Sequence, residues 1–533
     1  MNIAERIIKL RKEAGLSQEA LAEHLGVSRQ SVSKWESGNV MPDLDKVIAM
    51  CDIFDVSTDY LLKGDGEENQ QQKDYDEVYI GENTQTIQAP LSEPEPEPES
   101  DEHEEPSRKT KMKVIACILA ACLLFAAIMP IPFGGYRKLW AMFNEEPVEY
   151  PYVLVHGMGG WGESAGINSI APYWGSLAGS ISDKLRNNGT EVYEATVGPF
   201  SSAWDRACEL YAQLTGTTVD YGAAHSAQHG HNRYGKTYTT PLYEQWGKKT
   251  EGGQLQKINL VGHSFGGNTV TMLTSLLEYG SEEEINASPD DVSELFKGGK
   301  GEYINSVTTL CSPHNGSTLY YVVDKQNLIS ASLGLLRVAG GLTNAVASDV
   351  IDFQLEHFGI FAGTDNTSSL LNDSFMNGKD NAFYDLSPHG AKELNETIQT
   401  VEDVYYFSYV YCTTEKSAIT GKQAPKLSTM LVLMPFARLI GGYTNTSDDA
   451  PVKIDDSWLP NDGLVNVVSA RCPSDETPVA YSEESETERG VWYVFPTKDG
   501  DHGTVIGMNG NAVQTHQFYT DLVEMINTLP RIK

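Results

Sequence analysis

The spacing of apolar residues changes character several times along the chain. Over residues 1–65 it is helical. Ile7, Ile8 and Leu10 recur among cationic neighbours in Ile3–Ala14, and Ser17 stands as an N-cap before Gln18–Leu25. A Gly26–Val27 turn leads to Ser28, which caps Arg29–Glu36, and Asp43–Phe54 and Thr58–Leu62 supply two further helices. From Gly66 onward Glu, Asp, Gln, Pro and Ser take over, so residues 66–113 predict a disordered acidic linker that has no core to bury. Residues 114–133 are the reverse, a charge-free run long enough to cross a bilayer. Beyond Glu149, short buried-strand patterns such as Gln256–Val261 alternate with helical ones such as Asn268–Tyr279, which predicts an α/β domain over residues 149–533.

Within that domain one turn carries chemistry. Gly262-His263-Ser264-Phe265-Gly266 follows a strand and opens a helix, the context of the nucleophile elbow in an α/β-hydrolase. Its glycines let the chain turn sharply, and the helix N-terminus favours negative charge developing nearby. Pro151–Gly162 is a strand ending in His-Gly and a glycine-rich loop, which places one oxyanion-hole amide at Met158 and a second at Phe265. The acid is expected after the serine and the histidine last. Asp462, in a turn before the apolar run Leu464–Val468, and His502, in a polar loop before the last helix, stand in that order. Ser264 then attacks an acyl carbonyl, His502 relays the proton and Asp462 orients the imidazole. Asp455, Asp456 and Asp501 are rival acids, each reading as a solvated loop carboxylate.

The segments VLVHGMGGWG, VGPFSSAWDRACELYAQL, TVDYGAAHSAQHGHNRYGKTY, GHSFGG, SVTTLCSPHNGSTL, FYDLSPHGAKELN, WLPNDGLVNVVS and DHGTVIG resemble, in order, the zinc-containing lipases secreted by bacilli and staphylococci. That resemblance implies a lipid-ester substrate and one zinc ion held by Asp205, His225, His231 and Asp380. Two imidazoles and two carboxylates make a closed four-coordinate set, which suits a structural site. It also implies a lid between Ile329 and Phe361, around LGLLRVAGGL. One departure stands out. Where the family places two acidic calcium ligands after the catalytic histidine, this chain has Thr504 and Asn509. Calcium wants charged oxygen ligands, so none is expected here.

The string GLSQEALAEHLGVSRQSVSKWESG resembles the helix-turn-helix domains of Cro and repressor type. By that resemblance Arg29, Gln30, Ser31 and Lys34 face DNA, Gln18 touches phosphate and Trp35 belongs to the core. The module is not basic, so its non-specific DNA affinity is expected to be weak. Arg108, Lys109, Lys111 and Lys113 crowd one side of residues 114–133, which predicts a single-pass membrane protein with its N-terminus cytoplasmic and the hydrolase extracellular. The expected fold class is therefore multidomain: an all-α helix-turn-helix domain, a single transmembrane helix and a C-terminal α/β-hydrolase. A net charge of −34 disfavours the whole molecule lying on nucleic acid, and seven scattered cysteines imply no disulfide scaffold. The alternative is a membrane-tethered transcription regulator whose outer domain senses lipid and is weakly active or inactive as a hydrolase. It would signal through proximity, a homodimer or proteolytic release, because a flexible tether passes little torque.

Overall fold

In the computed structural model, described residues near the N-terminus are 3–14, 16–25, 27, 29–36, 46, 50, 53, 54 and 56. Further along they are 149–169, 171–323, 354–359, 373–482 and 486–530. The chain divides into two units, Met1–Ala126 and Ala127–Lys533.

In the first unit, helices α1 (Ile3–Glu13), α2 (Gln18–His24) and α3 (Arg29–Glu36) enclose Ile7, Leu10, Leu21, Val32 and Trp35. Ser17 caps α2 as its sequence suggests, its hydroxyl accepting the Ala20 amide at 3.0 Å; Ser28 lies outside the described residues. A fork joins the helices. Arg11 donates to both oxygens of Glu36, at 2.5 and 3.1 Å, and Gln18 Nε2 donates to the same carboxylate at 2.8 Å. Arg29, Gln30 and Lys34 are exposed on α3, and Ser31 is half-buried. The helices expected over Asp43–Phe54 and Thr58–Leu62 lie almost wholly outside the described residues, and so do the linker 66–113 and most of the expected lid.

The expected transmembrane helix and single-pass topology require correction. Residues 114–133 lie outside the described residues, and among the described residues no helix is long and apolar enough to cross a membrane. A charge-free run meets a length criterion only. A span must also be one continuous helix, because lipid offers its backbone no hydrogen-bond partners.

The second unit is built on a seven-stranded sheet whose neighbouring strands all run parallel. Its strands include β1 (Tyr152–Val155), β2 (Val192–Ala195), β5 (Ile258–His263), β6 (Ile304–Leu310) and β7 (Tyr405–Tyr409); β3 (Thr218–Asp220) and β4 (Tyr234–Thr237) pair separately. The order runs Val479–Ala480, Trp492–Val494, β7, β6, β5, β1, β2. Every residue of β1, β5, β6 and β7 is buried, as expected where helices cover both faces of a parallel sheet. Alternation along β1 sends Val153 and Val155 to one core and Tyr152 and Leu154 to the other. Helices α5 (Ala203–Thr215) and α7 (Phe265–Tyr279) cover the first face. Helices α4 (Ile181–Asn187) and α8 (Ala512–Asn527) cover the second; α6 (Ala223–His229) lies between β3 and β4 in the chain.

The carboxyl ends of β1, β5 and β6 lie side by side, so the loops that follow them meet at one edge. There the backbones nearly touch. A Cβ on Gly266 would stand 2.1 Å from the Val155 carbonyl oxygen and 2.7 Å from that of His156. Neither obstacle is a side chain that can swing away. We expect Gly266→Ala to lower unfolding stability by about 1–3 kcal/mol or more. Gly252→Ala, exposed and with its nearest neighbour at 3.7 Å, should stay within about 0.5 kcal/mol of the parent. Urea unfolding of both variants checks this, and equal midpoints would contradict it.

Candidate active site and metal group

Ser264 sits between β5 and α7 with φ 56 and ψ −131. A non-glycine residue rarely adopts this region, and it persists only where the surroundings fix it. Here they do: the Ser264 amide donates to the Leu310 carbonyl at 2.8 Å, and a Cβ on Gly262 would stand 2.4 Å from the Gly266 carbonyl oxygen. Although Ser264 occupies the N-cap of α7, its hydroxyl makes no capping bond.

His502 and Asp462 are brought together by side chain and backbone alike. His502 Nδ1 lies 2.8 Å from Asp462 Oδ2, and the His502 amide donates to the Asp462 carbonyl at 2.8 Å. The second carboxylate oxygen accepts the amides of Leu464 and Val465 at 2.9 and 2.7 Å. A carboxylate only accepts here, so Nδ1 carries the proton and Nε2 keeps its lone pair. Ser264 and His502 border one pocket with Met158, and its walls include Leu319, Phe383, Leu433, Phe436, Val465 and Ile506.

The rival acids separate from this pair. Asp455 and Asp456 are exposed, and Asp455 binds Ser457. Asp501 departs from the solvated reading, for it is fully buried. Its carboxylate accepts from Gly503 N at 3.2 Å, Thr504 Oγ1 at 3.0 Å, Met430 N at 2.8 Å and, closely, Asn509 Nδ2. Asn509 also donates to the Ser428 carbonyl at 3.0 Å. Thus Thr504 and Asn509 are donors tying this loop together.

Two further side chains, neither singled out by the sequence, shape the loop after β1. The Val197 amide donates to His156 Nε2 at 3.2 Å, which leaves the proton on Nδ1, 2.9 Å from the Gly157 carbonyl. In a trans peptide that carbonyl and the Met158 N–H point opposite ways, so His156 sets the direction of the Met158 amide. Burial, with Arg206 nearby, pushes the His156 imidazole down to about 3, so it stays neutral. Arg206 is fully buried, and burial pushes it down to about 10. It donates to Thr269 Oγ1 at 2.7 Å, to the Gly198 carbonyl at 2.9 Å and to the His156 carbonyl, and its guanidinium stands 5.2 Å above the Phe265 ring. One cation thereby braces both segments that carry Met158 and Phe265.

Asp205, His225, His231 and Asp380 converge, with one ligand atom from each within 4.8 Å of all the others. His225 Nε2 lies 3.2 Å from Asp205 Oδ1 and 3.2 Å from Asp380 Oδ2, and His231 Nε2 lies 3.1 Å from Asp380 Oδ2. Yet these atoms, with Asp380 Oδ1, are buried without hydrogen-bond geometry to any partner. Such groups are costly unless something satisfies them. His231 Nδ1 faces the Asn232 carbonyl at 2.9 Å, which places its proton there and turns the Nε2 lone pair inward. The group therefore fits a divalent cation. His357, which the sequence did not suggest, donates to Asp205 Oδ2 at 3.0 Å and stacks on Tyr221 with ring centroids 4.2 Å apart. Metal-binding residues are commonly oriented by such outer partners. His229 lies beside His225 but outside the four.

Residues 148–529 match the family of lipase-like C-terminal domains, and residues 7–61 match the helix-turn-helix family. Among relatives, Lipase 1 of Staphylococcus aureus is 32% identical over 418 residues, covering 74% of this chain and 58% of that protein. The chain thus spans little more than half the length of this curated relative. EstA from Clostridium botulinum superposes with a TM-score of 0.66 at 37% identity, covering 73% of this chain and 89% of that one. Lipase 1 from Pelosinus fermentans gives 0.63 at 38% identity, covering 72% and 100%. With its seven parallel strands, its strained serine turn and the pairing of His502 with Asp462, the chain belongs to the lipase-like C-terminal domain family and carries a helix-turn-helix near its N-terminus.

Proposed function

We propose that the protein hydrolyses carboxylic esters, most readily those of lipids, through an acyl-enzyme. The observation that carries this reading is His502, held by Asp462, bordering one apolar pocket with the strained, uncapped Ser264. Ser264 Oγ attacks the ester carbonyl while His502 Nε2 takes its proton, and the Met158 and Phe265 amides receive the negative charge that forms on the carbonyl oxygen. His502 returns the proton to the departing alcohol, and water then repeats the sequence to release the acid. Asp462 keeps the imidazole in the tautomer that can accept from the serine. The apolar walls suit an acyl chain, and the relatives from Staphylococcus aureus and Pelosinus fermentans are named lipases.

Assay of the full chain on p-nitrophenyl and glycerol esters tests this. Ser264→Ala or His502→Ala should each cost several powers of ten in kcat, and Asp462→Asn less than Ser264→Ala. Unchanged turnover in Ser264→Ala would refute the assignment.

We assign one structural zinc ion to Asp205, His225, His231 and Asp380, on the strength of their unpartnered inward atoms. Bound zinc would tie α5, α6 and the Asp380 segment together, away from the reaction. Elemental analysis should find about one zinc per chain, and a content near zero would overturn the assignment. Calcium has no part in this reading, since Asp501 is already supplied with donors. Added calcium should leave the melting temperature unchanged, while Asn509→Ala should cost about 1–3 kcal/mol by stripping a donor from a buried carboxylate. A large calcium-dependent rise would contradict it. Residues 1–65 would bind DNA through α3, where Arg29, Gln30 and Lys34 are exposed beside Ser31. Lys34→Ala should weaken operator binding in a gel-shift titration, and equal affinity would count against that face.

A further inference from the structure

Two buried side chains that the reaction scheme leaves unused join its two halves. His263, just before Ser264, is 2% exposed, and its ring meets a polar group on each side. Its Nε2 lies 3.0 Å from the carbonyl oxygen of His502. Its Nδ1 lies 2.7 Å from the Tyr173 hydroxyl, which lies 2.9 Å from the amide nitrogen of Gly157, the residue before Met158.

The protons along this path can be placed by elimination. A carbonyl oxygen only accepts, so His263 Nε2 carries a proton and donates it. Burial, reinforced by His502 alongside, holds the imidazole well below its usual range, so the ring is neutral and Nδ1 is an acceptor. Tyr173 must then donate to Nδ1, which leaves its oxygen to accept the Gly157 N–H. The reverse order fails at both ends, because the His502 carbonyl and the Gly157 amide each have a single role. The path therefore runs one way, from Gly157 through Tyr173 and His263 to His502, with every member satisfied. Tyr173 is also held sterically: its ring stands edge-on to His156, Trp161 and Trp174. A Cβ on Gly160 would come within 2.6 Å of that ring, and one on Gly157 within 3.0 Å of its hydroxyl.

We propose that Tyr173 and His263 are positioning residues that fix the distance between the Met158 amide and the His502 imidazole. The proposal rests on the hydrolase reading above. Met158 follows β1 and His502 precedes α8, so no local covalent link sets their separation. Yet the reaction needs both at once, the amide where negative charge forms and the imidazole where the proton leaves. Misplacement by about 1 Å can cost about a hundredfold in rate. Such a loss falls on the transition state and so on kcat.

Tyr173→Phe in the full chain keeps the ring and removes the link. We expect kcat to fall by about 10- to 100-fold with KM changed less than about twofold. His263→Gln, which ends in a donor and an acceptor, should retain more kcat than His263→Leu. Combining Tyr173→Phe with His263→Leu should lower kcat no further than the worse single variant, because both cut one path. Wild-type kcat in Tyr173→Phe, a loss confined to KM, or full additivity in the double variant would overturn the positioning role. If His263→Leu does not fold, the division between kcat and KM in Tyr173→Phe decides alone. Ser264→Ala separates the two readings: if it matches the wild type, the hydrolase assignment fails. If it is inactive while Tyr173→Phe is unimpaired, only the positioning role fails.

Discussion

Everything at the site depends on one crowded crossing of backbones at the carboxyl edge of the sheet. Ser264 holds a conformation that costs of order 1–3 kcal/mol, and it does so because the chain has nowhere else to go. Gly262 faces the Gly266 carbonyl, Gly266 faces that of Val155, and a Cβ on Gly267 would meet Ser312 Oγ at 2.0 Å. Each glycine is needed because protein, not solvent, fills the space: the first turn of α7 at Gly262, β1 at Gly266 and the Ser312 side chain at Gly267. The crossing forms because β1, β5 and β6 are parallel neighbours. Their fully buried strands secure that arrangement, and polar residues among them satisfy one another: Asn259 Oδ1 accepts from Asn305 Nδ2 and Ser306 Oγ, each at 2.8 Å. Hydrophobic burial thus supplies the stability that the strained turn consumes.

The polar groups near this crossing divide by whether the chain itself satisfies them. Asp462 takes two amides and an imidazole, and Asp501 takes two amides, a hydroxyl and a carboxamide. Both are closed by protein donors alone. Asp380 differs: both of its oxygens are buried and lack hydrogen-bond partners, although two imidazoles stand close by. Geometry explains the contrast. In the first two cases donors point at the oxygens, and in the third the neighbouring imidazole nitrogens make no hydrogen bond to them. That distinction separates a hydrogen-bonded carboxylate from one placed to hold a cation.

The sequence made the local parts of this design legible and the long-range parts obscure. The serine turn, the His-Gly loop and the order of Ser264, Asp462 and His502 follow from short patterns, and the structure brings Ser264 and His502 to one pocket with Asp462 behind the histidine. Asp205 and Asp380 come from distant segments, so only resemblance pointed to the pair. His357, an isolated histidine, gave no signal at all, because its meaning arises from contact with Asp205. Asp501 misled for a physical reason: a Gly-Asp-rich string reads as solvated loop, yet four donors folded over it bury it completely. Residues 114–133 read as a span from length and absence of charge alone; they lie outside the described residues, among which no helix is long and apolar enough to cross a membrane.

The two centres are not independent, since one turn of α5 serves both. Ser202 caps the helix by accepting the Asp205 amide at 3.2 Å, and Asp385 accepts the Ala203 amide at 2.7 Å, so its N-terminus is pinned twice. Successive residues on that turn then diverge, as helical geometry requires. Asp205 reaches the four-residue group, and Arg206 reaches the His156 and Gly198 carbonyls and the Phe265 ring. A guanidinium this deeply buried is tolerated because each of its nitrogens finds an oxygen at a fixed distance. Those distances hold only while α5 keeps its place. Whatever secures Asp205 therefore also secures the cation behind the loop of Met158 and the first turn of α7, which binds the rigidity of the active-site edge to the four converging side chains around Asp205.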